Sequence, residues 1–594
     1  MANTIKLPKW LEDRHTILWN TFKDNEFKME DAINALEGTE SGKKGVDKKG
    51  VTVVMSELRK AGWLNVSFDK EDSRKRIYNL KSKEQIIKEQ LTLKEGKLTR
   101  SDIIAILKKA ADLIRTRVDY KFILVLLFLK EISDKWDTEY ERAYKEAIED
   151  GLNEKEAAIE ASEPSFHDFD LPEEYKWDNL RKDVENLPEN FSNALKTIAE
   201  KNTQLKGVID SFDFVEFTQS RENAEILRQL VELFSEKKLH NVDPDILGDA
   251  YEWILSYFAP QKAKEGEVYT PREVIKLLVE ILDPKPEESV YDPASASNGM
   301  LIISHKHVKD NYGKDAADKL FLYGQEVNQK TLALGTMNLY IHDIKNANVA
   351  QGDTLLYPKF KEGNGVKQFD VVIANPPWNL DGFPEDTLKK GDFWKQRYSY
   401  GFVGKQSADW AWIQHMIASA KDNTGRIGIV IDNGALFRGG KEKKIRTSII
   451  KEDLIDCVIL LPEKLFYNTG APGAIIVLNE SKSEVRKGKV LFINASQEFE
   501  QHPEVRKLKI LGEDNIKKVA EIYREFNDND GFAKVITLEE IKENDYNLNV
   551  SLYAFPEDKI EDIDIAKEWE DLKKLELELQ AIDEKVRGYL EEVL

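Results

Sequence analysis

Cysteine is nearly absent: the 594 residues hold one, Cys457. A single thiol excludes an internal disulfide framework and a cysteine-based zinc site, and it fits a reducing compartment. Long apolar runs are missing too. The longest, Phe122 to Leu129, is eight residues between Lys121 and Lys130, far short of the roughly 20 that a membrane span needs. No charged-then-apolar leader opens the sequence, so a soluble, cytoplasmic protein with no membrane contact is expected. Net positive charge is also lacking. The formal balance of −21 argues against a freestanding nucleic-acid binder, because Lys and Arg neutralising phosphates supply most non-specific affinity. The deficit is uneven, since residues 1 to 100 carry 21 basic and 16 acidic groups. Any contact with a polyanion must be local, or a partner must share it. A nucleotide motor finds no support either: Gly434 to Lys441 misses phosphate-loop spacing by one, and no Ser or Thr follows the lysine.

With 41% hydrophobic and 33% charged residues the chain has ample material for packing, and its length predicts about three to five domains. Residues 8 to 82 read as three helices and a hairpin. The third helix, near Lys49 to Gly62, follows the Gly/Lys-rich stretch Ser41 to Gly45. Strands Val66 to Asp69 and Arg74 to Leu80 flank the turn Lys70 to Ser73. That order resembles a winged helix over 1–85, a shape used for DNA or for protein contacts. A charged linker leads to a helical region over 96–240. A catalytic α/β domain is expected over 241–500 and a C-terminal segment over 501–594.

The informative stretch is Gln368 to Trp378. A β-branched run, the signature of a buried strand, stops at Asn375-Pro376-Pro377-Trp378. Proline cannot donate to a ladder and disfavours helix in the residue before it, so the chain leaves the sheet at Asn375. In open parallel sheets ligands bind at strand carboxyl ends. An amide, a proline carbonyl, a stiff loop and an indole face suit a planar ring with an exocyclic amine. The bland alternative is a tight turn with a core Trp. Three earlier strand ends add acidic groups. Ser289 to Tyr291 leads into Asp292 and the small-residue loop to Gly299; Lys319 to Tyr323 leads to Glu326; Ala347 to Ala350 leads to Asp353. Small-residue turns and strand-end carboxylates are how Rossmann-like folds hold nucleoside cofactors. Upstream, Thr270, Pro271 and Glu273 read as a capping box opening a helix.

Taken in order from Leu98 to Leu594, these segments resemble the modification subunit of type I restriction-modification systems, a γ-group amino-methyltransferase. Further matches are Ala408 to His415, Gly434 to Gly440, Leu461 to Phe466 and Val490 to Ala495. The resemblance implies a Rossmann-like S-adenosylmethionine-dependent domain methylating adenine N6 of DNA, with no metal. It implies Tyr269, Thr270 and Pro271 near the methionine part of the cofactor, and the loop with Asp292, Ala294, Ser297 and Gly299 beneath it. Glu326 is expected on the ribose and Asp353 near the cofactor adenine. Asn375, Pro376, Pro377 and Trp378 would hold the target base. The family usually has glycines where Ala296 and Asn298 stand, and the Ala296 methyl is expected to crowd the cofactor.

The resemblance also implies a separate specificity subunit, a restriction subunit in the full complex, and two modification subunits per specificity subunit. A C-terminal apolar seam offers a docking face: Ile565, Trp569, Leu572, Leu575, Leu579, Ile582, Val586, Tyr589 and Val593 recur every three or four residues. Rival readings are a scaffold whose altered loop no longer binds cofactor, and methylation of cytosine N4 or a protein glutamine.

Overall fold

The computed structural model describes residues 9–23, 25–37, 48–60, 63–68, 76–81, 99–114, 119–239, 244–262, 269–467, 469–502, 505–555, 569, 572–575, 579 and 582. The chain divides into two compact units, Met1–Thr99 and Arg100–Leu594.

The first unit holds helices α1 (Lys9–Phe22), α2 (Met29–Glu37) and α3 (Lys48–Lys60), then strands β1 (Leu64–Phe68) and β2 (Arg76–Leu80). The strands pair antiparallel with Leu64 opposite Leu80. Leu18, Ala32, Val51, Leu58 and Leu80 are wholly enclosed in one core, as expected of apolar stripes at helical spacing. Three helices and a hairpin are as anticipated, with the first strand starting two residues earlier, at Leu64. The Ser41–Gly45 stretch and the turn with Lys70 to Lys75 lie outside the described residues.

The second unit opens with α4 (Arg100–Ile114), α5 (Lys121–Glu149), α6 (Leu187–Lys201) and α7 (Arg221–Phe234). The apolar run forms the first, buried turns of α5: Ile123 to Leu127 have no exposed surface. Inside this bundle Lys130 pairs with Asp134, whose Oδ2 also accepts the Leu239 N–H at 2.7 Å. Burial without such partners would be costly for both charges.

Next come α8 (Pro244–Lys262), α9 (Arg272–Leu282), β3 (Ser289–Asp292), α10 (Gly299–Tyr312), β4 (Phe321–Glu326), α11 (Gln329–Ile341), β5 (Asn348–Gln351) and β6 (Val371–Ala374). They are followed by α12 (Asp409–Ala418), β7 (Arg426–Asp432), α13 (Gly440–Lys451), β8 (Ile455–Leu460), β9 (Gly473–Asn479), β10 (Lys489–Asn494), α14 (Glu513–Glu525) and β11 (Ala533–Thr537). Nine strands form one sheet in the order β11-β10-β8-β9-β7-β6-β3-β4-β5. From β7 to β5 every pairing is parallel, while β9 runs antiparallel to β7 and β8. Strand order reverses between β3 and β6, which opens a crevice at their carboxyl ends. β4 starts at Phe321 and carries Glu326 as its last residue. Cys457 is buried within β8.

The described residues between 505 and 555 remain with this sheet. β11 pairs antiparallel with β10, and α14 is tied to α9 through the Lys276–Glu513 and Arg524–Glu280 ion pairs. Among the described residues no helix is long and apolar enough to cross a membrane.

β6 and β3 are buried at every position, as central parallel strands must be. Ile373→Ala in β6, at a site with no exposed surface, is expected to destabilise by about 2–5 kcal/mol in chemical denaturation. Val327→Ala, at a residue 63% exposed, should change stability by less than about 0.5 kcal/mol.

Candidate active site

β3 delivers Asp292 to the crevice. The residue is 2% exposed, and its Oδ1 accepts the Ala294 N–H at 3.0 Å. Burial, with the Glu326 carboxylate nearby, pushes the Asp292 carboxyl up to about 8. The loop then turns through two left-handed residues, Ala296 at φ 43° and Asn298 at φ 61°. Asn tolerates that region, whereas Ala pays a steric cost there. Space for the turn comes from its neighbours. A Cβ on Gly335 of α11 would lie 2.7 Å from the Ala296 carbonyl oxygen, and one on Gly324 of β4 would lie 3.0 Å from Asn298 Oδ1. The loop is tied to the next strand end as well, for the Ala296 N–H donates to Glu326 Oε2 at 3.0 Å.

β5 leads to Asp353, whose carboxyl is raised by burial and whose Oδ1 accepts the Leu356 N–H at 3.2 Å. The following turn is clamped by Arg397, 1% exposed. Its guanidinium donates to the carbonyls of Thr354 at 2.9 Å, Leu355 at 2.8 Å and Asp392 at 2.8 Å. No sequence motif singles out this arginine, since its partners are backbone carbonyls.

β6 delivers Asn375, 6% exposed. Its Nδ2 donates to Thr270 Oγ1 at 2.8 Å, and its Oδ1 accepts the Trp378 indole N–H at 2.9 Å. An indole nitrogen only donates, so the amide oxygen must face it. The Trp378 ring packs edge-on against Phe466, with centroids 4.7 Å apart, over Gly473, where a Cβ would come within 2.9 Å of it. The capping box expected of Thr270, Pro271 and Glu273 does not form: α9 begins at Arg272 with no side-chain cap. The Thr270 hydroxyl serves Asn375 across the crevice, which the local pattern could not reveal.

The chain beyond Trp378 is pinned by a second network. Asn379 is left-handed, at φ 52°, and its N–H donates to Asp409 Oδ1 at 3.0 Å. Arg438 pairs with Asp409 and donates to Asp432 at 3.0 Å and Glu442 at 2.9 Å. Asp409 and Arg438 entered the sequence reading only within matched segments, without a role.

One cavity of about 440 Å³ joins these strand ends, within the range of small-molecule sites. Of the expected cofactor positions, Tyr269, Thr270, Asp292, Ala294, Ser297, Gly299, Glu326, Asp353 and Asn375 line it. Pro377 also lines it, whereas Pro271, Pro376 and Trp378 do not. The donor set, carboxylates at three successive strand ends with a small-residue loop between them, fits a cationic nucleoside. Gly335→Ala, which never touches the cavity, should push the loop and cost about 1–3 kcal/mol in denaturant melts. Ala296→Gly should instead stabilise by up to about 1 kcal/mol by relieving φ.

Residues 242–562 match the N-6 DNA Methylase family, and residues 103–234 match the HsdM N-terminal domain. The chain is 44% identical to the type I restriction enzyme MjaVII methylase subunit of Methanocaldococcus jannaschii, covering 99% of this chain and 98% of that relative. It is 46% identical to the MjaVIII methylase subunit of the same organism, over 92% of each. A solved type I methyltransferase subunit from Streptococcus thermophilus superposes with TM-score 0.67 at 25% identity, covering 77% of this chain and all of that one. The chain therefore belongs to the methylase subunits of type I restriction enzymes, adenine-specific DNA methyltransferases that draw their methyl group from S-adenosylmethionine.

Proposed function

We propose that Asn375, Pro376, Pro377 and Trp378 hold an adenine extruded from duplex DNA, and that the strand-end carboxylates hold the methyl donor beside it. The observation that carries this reading is the single cavity shared by Asn375 and the three acidic strand ends. S-Adenosylmethionine supplies an electrophilic sulfonium methyl group. The chain's own part is placement and polarisation. Thr270 and Trp378 lock the Asn375 amide, whose oxygen keeps a second lone pair for an amine N–H. With the Pro376 carbonyl as the other acceptor, the N6 lone pair is turned toward the methyl group and made more nucleophilic. No covalent enzyme intermediate is needed, so positioning carries most of the acceleration. Paired within a duplex, N6 cannot reach an enclosed donor, which is why the base must leave the helix.

The acidic chain takes its sequence choice from a separate specificity subunit in the cytoplasm, with a restriction subunit in the larger complex and two methylase subunits per specificity subunit. Support comes from the C-terminal seam. Trp569, Leu572, Leu575, Leu579 and Ile582 are helical and 47–62% exposed, an apolar stripe that a partner helix would cover. Ile565, Val586, Tyr589 and Val593 of the same seam lie outside the described residues.

Asn375→Ala is expected to lower labelled methyl transfer to DNA, assayed with the partner subunits present, by about 100-fold or more. Activity near wild type would remove Asn375 from the mechanism. Leu575→Glu with Leu579→Glu should abolish co-purification with the specificity subunit while leaving the melting temperature of the isolated chain unchanged. The Asp292 carboxyl, raised to about 8, is protonated at pH 7 in the free protein, and a sulfonium beside it favours the carboxylate. Cofactor binding at pH 7 should release a proton, seen as a buffer-dependent binding enthalpy that fades above pH 9.

A further inference from the structure

We propose that Glu252 is the acceptor for the ammonium group of the cofactor's methionine part, held in place by Arg272. This rests on the reading of the cavity given above and names the residue that recognises the cofactor's amino-acid end. Glu252 stands on α8 and is 7% exposed, yet it lines the cavity. Its Oε2 lies 3.0 Å from Arg272 Nη1, and its Oε1 lies 3.7 Å from His342 Nε2, beyond hydrogen-bond range. Burial, with the Arg272 guanidinium opposing protonation of its neighbours, holds the His342 imidazole down to about 3, so His342 brings no charge. Arg272 is shared, because it pairs with Asp249 as well. Two carboxylates thus face one guanidinium, and a buried carboxylate with a single partner is an incomplete arrangement.

Position along the sheet says what completes it. The strand ends run from Asp353 after β5, through Glu326 on β4 and Asp292 on β3, to the amide of Asn375 after β6. Thr270 bonds to Asn375, and Arg272 follows two residues later, at the start of α9. Arg272, with Glu252 paired to it, therefore lines the cavity two residues along the chain from the Thr270–Asn375 contact. A nucleoside held by Glu326 and Asp353 would need its sulfonium arm to reach toward Asn375, where the transferred methyl group is required. The rest of that arm is an amino acid, and its ammonium is a second cation for Glu252, whose one guanidinium partner is shared with Asp249. Hydrogen bonds to charged groups of this kind are worth about 10–100-fold in affinity.

The test uses the full-length chain and three ligands measured by calorimetry. They are S-adenosylhomocysteine, its analogue lacking only the amino group, and 5′-methylthioadenosine, which lacks the whole amino-acid end. In Glu252→Gln, affinity for S-adenosylhomocysteine should fall about 10–100-fold, while that for 5′-methylthioadenosine stays at the wild-type value. Removing the amino group from the ligand should weaken wild type by a similar factor and Glu252→Gln hardly at all, because the two deletions remove one contact. Unchanged 5′-methylthioadenosine binding doubles as the folding control. If the two deletions add independently, or if the variant weakens all three ligands alike, Glu252 does not bind the ammonium. Wild type that binds none of the three would overturn the cofactor reading itself, and this assignment with it. Wild-type protein compared across the three ligands decides the matter even if the variant fails to fold, since equal affinities would leave the ammonium without any recognised partner.

Discussion

The amide of Asn375 sits between the hydroxyl of Thr270 and the indole of Trp378, and much of the surrounding structure exists to keep it there. Two prolines end β6 at that point and remove any N–H that could extend the ladder. A donor-only indole dictates which way the amide oxygen faces. Thr270 is brought across the crevice by the start of α9, which gives up a side-chain cap so that the hydroxyl can serve the amide. Beyond Trp378 the Asp409 carboxylate holds the Asn379 N–H while Arg438 holds the carboxylate. The chain is thus anchored before and after Asn375-Pro376-Pro377-Trp378. The role proposed for the Asn375 amide, polarisation without a covalent bond, would need this rigidity, since such a contribution depends on geometry within a fraction of an ångström.

The loop after β3 reaches a tight turn by a different distribution of glycine. Ala296 and Asn298 occupy left-handed conformations within it, and the free space lies beneath, at Gly324 and Gly335. The strain of Ala296 is local. It is offset by the hydrogen bond from its N–H to Glu326, which ties the loop to the neighbouring strand end. On the far side Arg397 plays the matching part by gathering the carbonyls of the turn after Asp353. Loop and turn are therefore braced from below and from the side, which leaves the cavity wall between them as the face open to ligand.

Charge organises the site at two scales. The cavity gathers carboxylates from successive strands, an environment that favours a cationic ligand, and burial raises the carboxyls of Asp292 and Asp353 there. The whole chain carries −21, a field unfavourable to DNA unless a partner supplies cations. An exposed apolar stripe on the C-terminal helix is the kind of surface through which such a partner attaches.

Local physics made much of this legible in advance. β-branched runs marked β3 and β6, prolines marked where β6 must stop, and the run Phe122 to Leu129 could only be a buried helix face once a membrane span was ruled out by length. The order of acidic strand ends, and with it the family, was readable because each lies within a few residues of its own strand. What the sequence could not state were bonds between residues far apart along it. Asn375 and Thr270 are 105 positions apart. Arg397 and Thr354 are 43 apart. Glu252 and Arg272 meet only because α8 and α9 close on the same cavity. Such pairings depend on strand order and helix packing, which set distances in space that no periodicity along the chain encodes. Thr270 shows the consequence: its neighbours in sequence suggested a helix cap, and its neighbours in space made it the support of the Asn375 amide.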